Sequence, residues 1–505
     1  MTDVSERTVD GLLRASALRV PTRSAVRYAD RDHDYAAFDA AVGAAAHVLR
    51  EEWGLAPGDR VATFAHNSDA YPLAFLACAR AGLVHVPVNQ HLTGADLDHL
   101  LDHSGARLVL VDPDLADRLP AGAPHRPLRD APGSLLDAAL ARAGRPGAHD
   151  EPSTDPEALV QLLYTSGTTA LPKGAMMTHR ALCHAYESSV EALDLDEHDR
   201  PVHALPLYHS AQTHVFLLPY LAVGASNTIL AGPDADTLLD LVARGEADSL
   251  FAPPTVWIAL GNHPGFADRD LSGLRKVYYG ASIMPVPVLQ RLRAHLPGLA
   301  FYNCFGQSEI GPLATVLRPE EHEARPASCG RPVRHVTARV VDEDGRDTPD
   351  GVPGEIVYRS PQLCTGYWRD PEAGEEAFRA GWFHSGDLAT RDAEGYLTIV
   401  DRVKDVINSG GVLVASRQVE DVLHTHPGVL EVAVIGLPDP HWIEAVTAVV
   451  VPRDDTVTPE ELTAHARERL AHFKAPKRVV LVPALPRNAS GKILKRELRR
   501  TLTGE

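Results

Sequence analysis

Short apolar runs alternate with amphipathic stretches along most of the chain. Across residues 59–112 the runs RVATFA, HVPV and RLVLVD predict buried strands. Between them, residues 70–80 and 93–103 have helix-like patterning. Strands alternating with helices predict a layered α/β domain. A second alternating region runs from residue 158 to about residue 307, with SLFAPP and KVYYGA as buried strands that end in loops. Residues 121–155, rich in Ala, Pro, Gly, Arg and Asp, predict a surface connection. Beyond Pro326 the pattern shortens to VTARVVDEDGR, GEIVYRS and GYLTIVDR, which predicts a smaller β-rich unit. The last hundred residues, from VEDVLHTHPGV through VAVIGLP to VTAVVVP, mix helix and strand as a separate small α+β domain. No internal repeat is present.

Composition narrows the class. With 505 residues, 44% of them hydrophobic, the chain has material for several cores, and a prior of about 150 residues per domain gives two to four. A net charge of −18, from 49 basic and 67 acidic residues, repels phosphate backbones, so nucleic acid and anionic membrane surfaces are poor partners. The most apolar stretches are residues 74–88, broken by Arg80, and residues 216–225, and both fall short of the ~20 residues that span a bilayer. The start, MTDVSERTVDGLL, lacks the pattern of a signal peptide, and Cys78, Cys183, Cys304, Cys329 and Cys364 are scattered without a CxxC pair. A cytoplasmic protein is expected. His99 and His103 share a helix face at metal-ligand spacing, but a chain with 25 histidines produces such pairs by chance, and a structural role is the expectation.

The chemistry concentrates after the run ALVQLLYT, in a loop with Thr165, Ser166, Gly167, Thr168 and Thr169, followed by Pro172, Lys173 and Gly174. Hydroxyls and flexible backbone amides surround an anion well. The order is not that of a Walker loop, in which GK[ST] opens a helix. The full stretch YTSGTTALPKG resembles the loop [YF]TSGTTGxPKG of acyl-CoA synthetases in the AMP-forming adenylating superfamily. GDRVATFAHNSDAY, LPLYHSAQ, YYGASIMP, FYNCFGQSEIGPLAT, GWFHSGDLA, DRVKDVINSGG and PRNASGKILKREL resemble further blocks of that family, in its order.

The resemblance implies an α/β fold: a large N-terminal domain of layered α/β subdomains plus a β-rich subdomain, and a small mobile C-terminal α+β domain. It places the adenylation domain at residues 1–401, a hinge at 402–404 and the mobile domain at 405–505. It implies ATP and Mg²⁺, with CoA as co-substrate. Glu309 and Thr165 are the implied metal site, and Ser166, Gly167, Thr168, Thr169 and Lys173 the phosphate cradle. Gly280, Ala281 and Ser282 face Asn303, Cys304 and Phe305 across adenine, with Gly306, Gln307 and Ser308 adjoining, while Asp387 takes the ribose and Arg402 the same ribose or a phosphate. Lys492 neutralises charge in the adenylation transition state, and His209 gates the acyl pocket. Tyr208, His209, Gln212, Phe251, Trp257, Tyr279 and Phe305 are the expected substrate pocket.

Two departures stand out. Ala170 replaces a glycine in the phosphate loop, at a cost of about 1 kcal/mol if that position needs a positive φ. In SGGVLVASRQVED, Val412 and Leu413 replace a Glu-Asn pair and Gln418 a Glu, in the loop that lines the family's thiol tunnel. Two functions follow: a carboxylate–CoA ligase, or an adenylating enzyme with a non-CoA acceptor, such as a diazotase that adenylates nitrite for attack by an arylamine. A non-catalytic nucleotide binder would require loss of Glu309 or Lys492, and both are present.

Overall fold

Four sheets organise the described residues. The computed structural model describes residues 7–143, 155–165, 172–281, 284, 286–410, 412–454, 456–487 and 493–503. The first sheet runs His125–Pro127, Ala106–Val111, Arg60–Phe64, Val84–Pro87, Leu159–Thr165, Lys173–Thr178, and only the last pair is antiparallel. Parallel strands must be covered on both faces. Accordingly Val61, Ala65, Leu108 and Leu110 enter one core with the N-terminal helices, while Ala62, Phe64, Val109 and Val111 enter another.

The second sheet has nine strands. Its parallel centre is Ser24–Tyr28, Asn227–Ile229, Pro201–His203, Ser249–Ala252, Lys276–Gly280 and Ala300–Phe305, and antiparallel strands close both edges. A third, antiparallel sheet joins Thr337–Val341, Gly354–Arg359, Phe378–Arg379, Trp382–Arg391 and Leu397–Arg402. The fourth holds Ile407–Ser409, Val412–Val414, Val429–Asp439, Ile443–Pro452 and Arg478–Leu481.

Two helices show how the pattern becomes structure. Ala70–Arg80 is buried along its whole length, and the Asp69 carboxylate accepts from Ala70 N while pairing with Arg31 and His33. Gly94–Ser104 buries Leu97, Leu100, Leu101 and Ser104 and stops at Gly105, whose φ of 64° is cheap only for glycine. Residues 121–155 depart from the expected plain connection. They contain the short strand His125–Pro127 and a helix, Leu135–Arg142, capped by Ser134 Oγ. That helix buries only Leu135, Leu136 and Ala139, too few positions to set up a visible period.

Asn67 ties the first two sheets. It donates to the carbonyls of Leu205 and Leu230 and accepts from Leu207 N at 2.8 Å, which fixes the segment leading to His209. The fourth sheet meets the third where Ser416 N donates to the Asp401 carboxylate at 2.6 Å and helix Ser416–His424 rests on strand Leu397–Arg402. All five cysteines are buried and unpaired. No helix among the described residues is long and apolar enough to cross a membrane.

Candidate active site

Glu309 sits where the first three sheets converge. It lies in the turn Ser308–Ile310 that follows strand Ala300–Phe305 of the nine-stranded sheet. Thr165 ends strand Leu159–Thr165 of the first sheet and donates its hydroxyl to Glu309 Oε1 at 3.0 Å. Tyr367, bridged to Ala175 after the third sheet's strand Gly354–Arg359, donates to the same oxygen at 3.2 Å. The backbone is locked too: Cys364 N donates to the Glu309 carbonyl, and Gln362 Nε2 to those of Ile310 and Leu313. The Glu309 side chain is thereby a nearly buried carboxylate in a fixed direction. Burial and the adjacent Glu309 push the Tyr367 phenol up, so it donates its proton at any physiological pH. The Glu309 carboxylate with the Thr165 hydroxyl is a hard-oxygen donor set that suits Mg²⁺.

Thr165 pairs with Lys173 across the mouth of the hydroxyl-rich loop. Lys173 Nζ is 3.9 Å from the Asp370 carboxylate and 5.5 Å above the Tyr367 ring. Tyr164, one residue earlier, hydrogen-bonds His103 Nδ1 at 2.8 Å, and Gly174 packs against its ring. His103 is therefore engaged with Tyr164, while it stacks on His99. Ser166, Gly167, Thr168, Thr169 and Ala170 lie outside the described residues, as do Ser282 and Lys492.

The strand ends beside this turn are shaped for close approach. A Cβ on Gly280 would stand 2.3 Å from the Cys304 carbonyl, so only glycine lets strand Lys276–Gly280 lie this near its neighbour. Ala281 follows with a φ of 61°, an unusual conformation for a side-chain-bearing residue and a pointer to a functional site. Asn303 is anchored by donating to the Ser328 carbonyl, and Ser308 Oγ meets Ser210 Oγ at 2.8 Å. Cys304 is buried, Phe305 ends the strand, and Gly306 and Gln307 lead into the turn.

Asp387 and Arg402 face each other on paired strands, with Arg402 Nε 2.5 Å from the Asp387 carboxylate. Asp387 N donates to Ser385 Oγ, which itself donates to the Ile356 carbonyl. A buried carboxylate beside a half-exposed guanidinium at the end of a strand presents both acceptors and donors to a polar ligand.

The expected substrate pocket divides. Tyr208 and His209 lie together, ring centroids 4.6 Å apart, and Gln212 follows them on the segment Ala211–Leu217. Burial lowers the His209 pKa to about 4, so the ring is neutral, and its Nε2 has no partner among the described residues. Phe251 stacks on Phe216 at 4.5 Å in the core that Phe305 also borders. Trp257 and Tyr279 belong instead to the core on the opposite face of the nine-stranded sheet, where Tyr279 hydrogen-bonds His322. Tyr278, one position earlier on the strand, faces Phe216. Sequence reasoning missed Tyr367, Phe216 and Tyr278. Strand alternation flags one of Tyr278 and Tyr279, but not which.

The chain matches the family model for AMP-binding enzymes over residues 13–368 and that for the AMP-binding enzyme C-terminal domain over residues 418–492. It is 39% identical over 484 residues to a feruloyl-CoA synthase of Amycolatopsis sp, covering 95% of this chain and 96% of the relative. Among solved structures it is similar to ATP-bound MatB from Rhodopseudomonas palustris, with a TM-score of 0.90, 32% identity, and coverage of 98% of this chain and 99% of that one. The amide bond synthetase McbA from Marinactinospora thermotolerans aligns with a TM-score of 0.88 at 28% identity, over 98% and 99% of the two chains.

Proposed function

The chain belongs to the AMP-binding enzyme family, as an AMP-forming acid–CoA ligase-type enzyme, and from that premise we propose the reaction and the residues that carry it. A small-molecule carboxylate attacks the α-phosphate of ATP, pyrophosphate leaves, and the acyl-adenylate passes to the thiol of CoA with release of AMP. The observation that carries this reading is the Glu309 carboxylate held in a fixed direction by Thr165 and Tyr367, where three sheets meet.

Mg²⁺, when bound there, neutralises phosphate charge so that an anionic nucleophile can approach. Glu309 and Thr165 would hold it. The amides and hydroxyls of Thr165, Ser166, Gly167, Thr168 and Thr169, with Lys173, cradle the phosphates. Adenine lies between the strand end Gly280, Ala281, Ser282 and the segment Asn303, Cys304, Phe305, and Asp387 accepts from the ribose hydroxyls with Arg402 beside it. Lys492 reaches the α-phosphate and the substrate carboxylate, offsetting charge that develops in the transition state. Residues 1–401 act as the adenylating unit, 402–404 as the hinge and 405–505 as the moving unit that exchanges Lys492 for the hairpin at Val412 and Leu413.

A second reading keeps the first half-reaction and changes the acceptor to an amine. The exposed apolar side chains of Val412 and Leu413 favour it, as does the similarity to an amide bond synthetase. Nitrite as the activated group rests on that hairpin alone.

The test is pyrophosphate release by the purified protein across a panel of carboxylic acids and nitrite, each with CoA or an arylamine. An acid that releases pyrophosphate and yields a CoA thioester sustains the proposal. Pyrophosphate release with nitrite and arylamine, CoA remaining idle, overturns it.

A further inference from the structure

Beside His209 lies a chain of buried polar side chains that the proposed mechanism leaves unused. Asn227 donates its amide hydrogens to the carbonyls of Ala25 and Ala225, at 3.0 and 2.9 Å. Its oxygen therefore accepts from His203 Nε2 at 2.9 Å, which puts the imidazole proton on Nε2 and leaves Nδ1 as an acceptor. Burial keeps this ring neutral, with its pKa lowered to about 4. Gln212 then donates Nε2 to His203 Nδ1 at 2.8 Å. Each link orients the next, and a flipped Gln212 amide would set two acceptors against each other. The last atom of the chain is the Gln212 carbonyl oxygen. It is sealed from solvent and has no partner among the described residues.

Gln212 and His203 line a slit whose other walls include Phe216, Phe251, Tyr220 and Tyr278. As it stands the slit is too narrow to admit a water molecule, so solvent does not supply the missing donor. For a flat ring to enter, the Phe216–Phe251 stack, with centroids 4.5 Å apart, has to part, and an entering ring that replaces one aromatic contact by another offsets that loss.

We propose that Gln212 is a specificity residue: its oriented oxygen accepts a hydrogen bond from a hydroxyl or amino group at the far end of an aromatic acid. The inference rests on the ligase reading of the same site and deepens it. An aliphatic tail, or a ring without a donor, leaves a buried acceptor unpaired, and sites built to pair a substrate donor reject analogues that lack it. Asn227 and His203 are positioning residues that act through Gln212.

The experiment compares kcat/KM for pyrophosphate release by the wild-type protein with 4-hydroxycinnamate, 4-aminocinnamate, cinnamate and octanoate. The two donors are expected to exceed cinnamate and octanoate by at least about tenfold. In Gln212→Leu the ratio of hydroxycinnamate to cinnamate collapses to within about threefold, with the melting temperature reporting that the fold is retained. Wild-type protein that activates acids but treats cinnamate and hydroxycinnamate alike overturns this inference and leaves the ligase reading standing. A Gln212→Leu protein that keeps the wild-type ratio overturns it as well. Absence of pyrophosphate release with every carboxylic acid overturns the ligase reading, and the inference with it.

Discussion

Glu309 and the hairpin formed by Ile407–Ser409 and Val412–Val414 serve successive halves of the proposed reaction, and they are built in opposite ways. Glu309 is 8% exposed, pinned by two hydroxyl donors and by backbone bonds from a neighbouring loop. Val412 is 46% exposed and Leu413 68%, and nearby Ile443 is 58% exposed with a φ of 65°, a strained value for a β-branched side chain. The first arrangement is set by packing inside the large unit. The second places apolar surface in water, on the smaller unit. The contrast separates what must be rigid, a carboxylate that positions charge, from what is assembled only when another surface arrives.

Glu309→Gln gives the largest expected effect. It keeps the shape of the side chain and removes its charge, so pyrophosphate release falls about a hundredfold to a thousandfold, in line with the loss of one preorganised electrostatic group. A fall of less than threefold would deprive the turn of its assigned role and erase the contrast with the hairpin.

Acid should act next, and on the large unit. Burial lowers the pKa of His85 and His214 to about 3, against 6.5 in an unfolded chain. Below pH 6.5 the unfolded state binds protons that the folded state refuses, so stability is present above 6.5 and is lost as the pH falls towards 3. At pH 5 this amounts to roughly 2 kcal/mol per histidine, about thirtyfold in the unfolding equilibrium. Thermal unfolding followed from pH 7 to pH 5 checks it, and a flat melting temperature would contradict the neutral burial of both rings.

Asp387→Asn comes third. Its partner Arg402 remains and ribose binding weakens, so kcat/KM for ATP drops about tenfold while saturating ATP recovers part of the rate. A lowered kcat with unchanged KM would move Asp387 from ribose binding to chemistry. The smallest effect tests the other region. Val412→Glu combined with Leu413→Asn is expected to keep acyl-adenylate formation within about twofold and to change thioester formation several-fold, because both side chains stand exposed to water rather than packed around Glu309. Equal changes in both steps would show that the two regions are not separable.

Much of this was legible in the sequence, for identifiable reasons. The helices Ala70–Arg80 and Gly94–Ser104 and the strands of the third sheet follow periods long enough to recognise. Helix Leu135–Arg142 was not legible, since three buried side chains among alanines and arginines set no period. In the site, Glu309 and Thr165 stand in motifs, and the structure brings them into contact across 144 residues. Tyr367 bears no motif, and its role depends on a loop folding back from the third sheet. Tyr279 was expected in the pocket and lies in the core on the other side of its strand from Tyr278, because a strand shows each neighbour to an opposite side, and Trp257, on helix Pro254–Asn262, packs into that same core. His203 and Asn227 acquire significance only through the hydrogen-bond order that orients Gln212.

In the proposed function, one adenylating site activates a carboxylate and passes it to CoA. Incubation of the purified protein with ATP, Mg²⁺, an aromatic carboxylic acid and CoA, with pyrophosphate and acyl-CoA counted in the same tube, tests it most directly. The expected result is one thioester formed per pyrophosphate released, with Lys492→Ala severely depressing both. Pyrophosphate release without any thioester, or near-normal rates in Lys492→Ala, would contradict it.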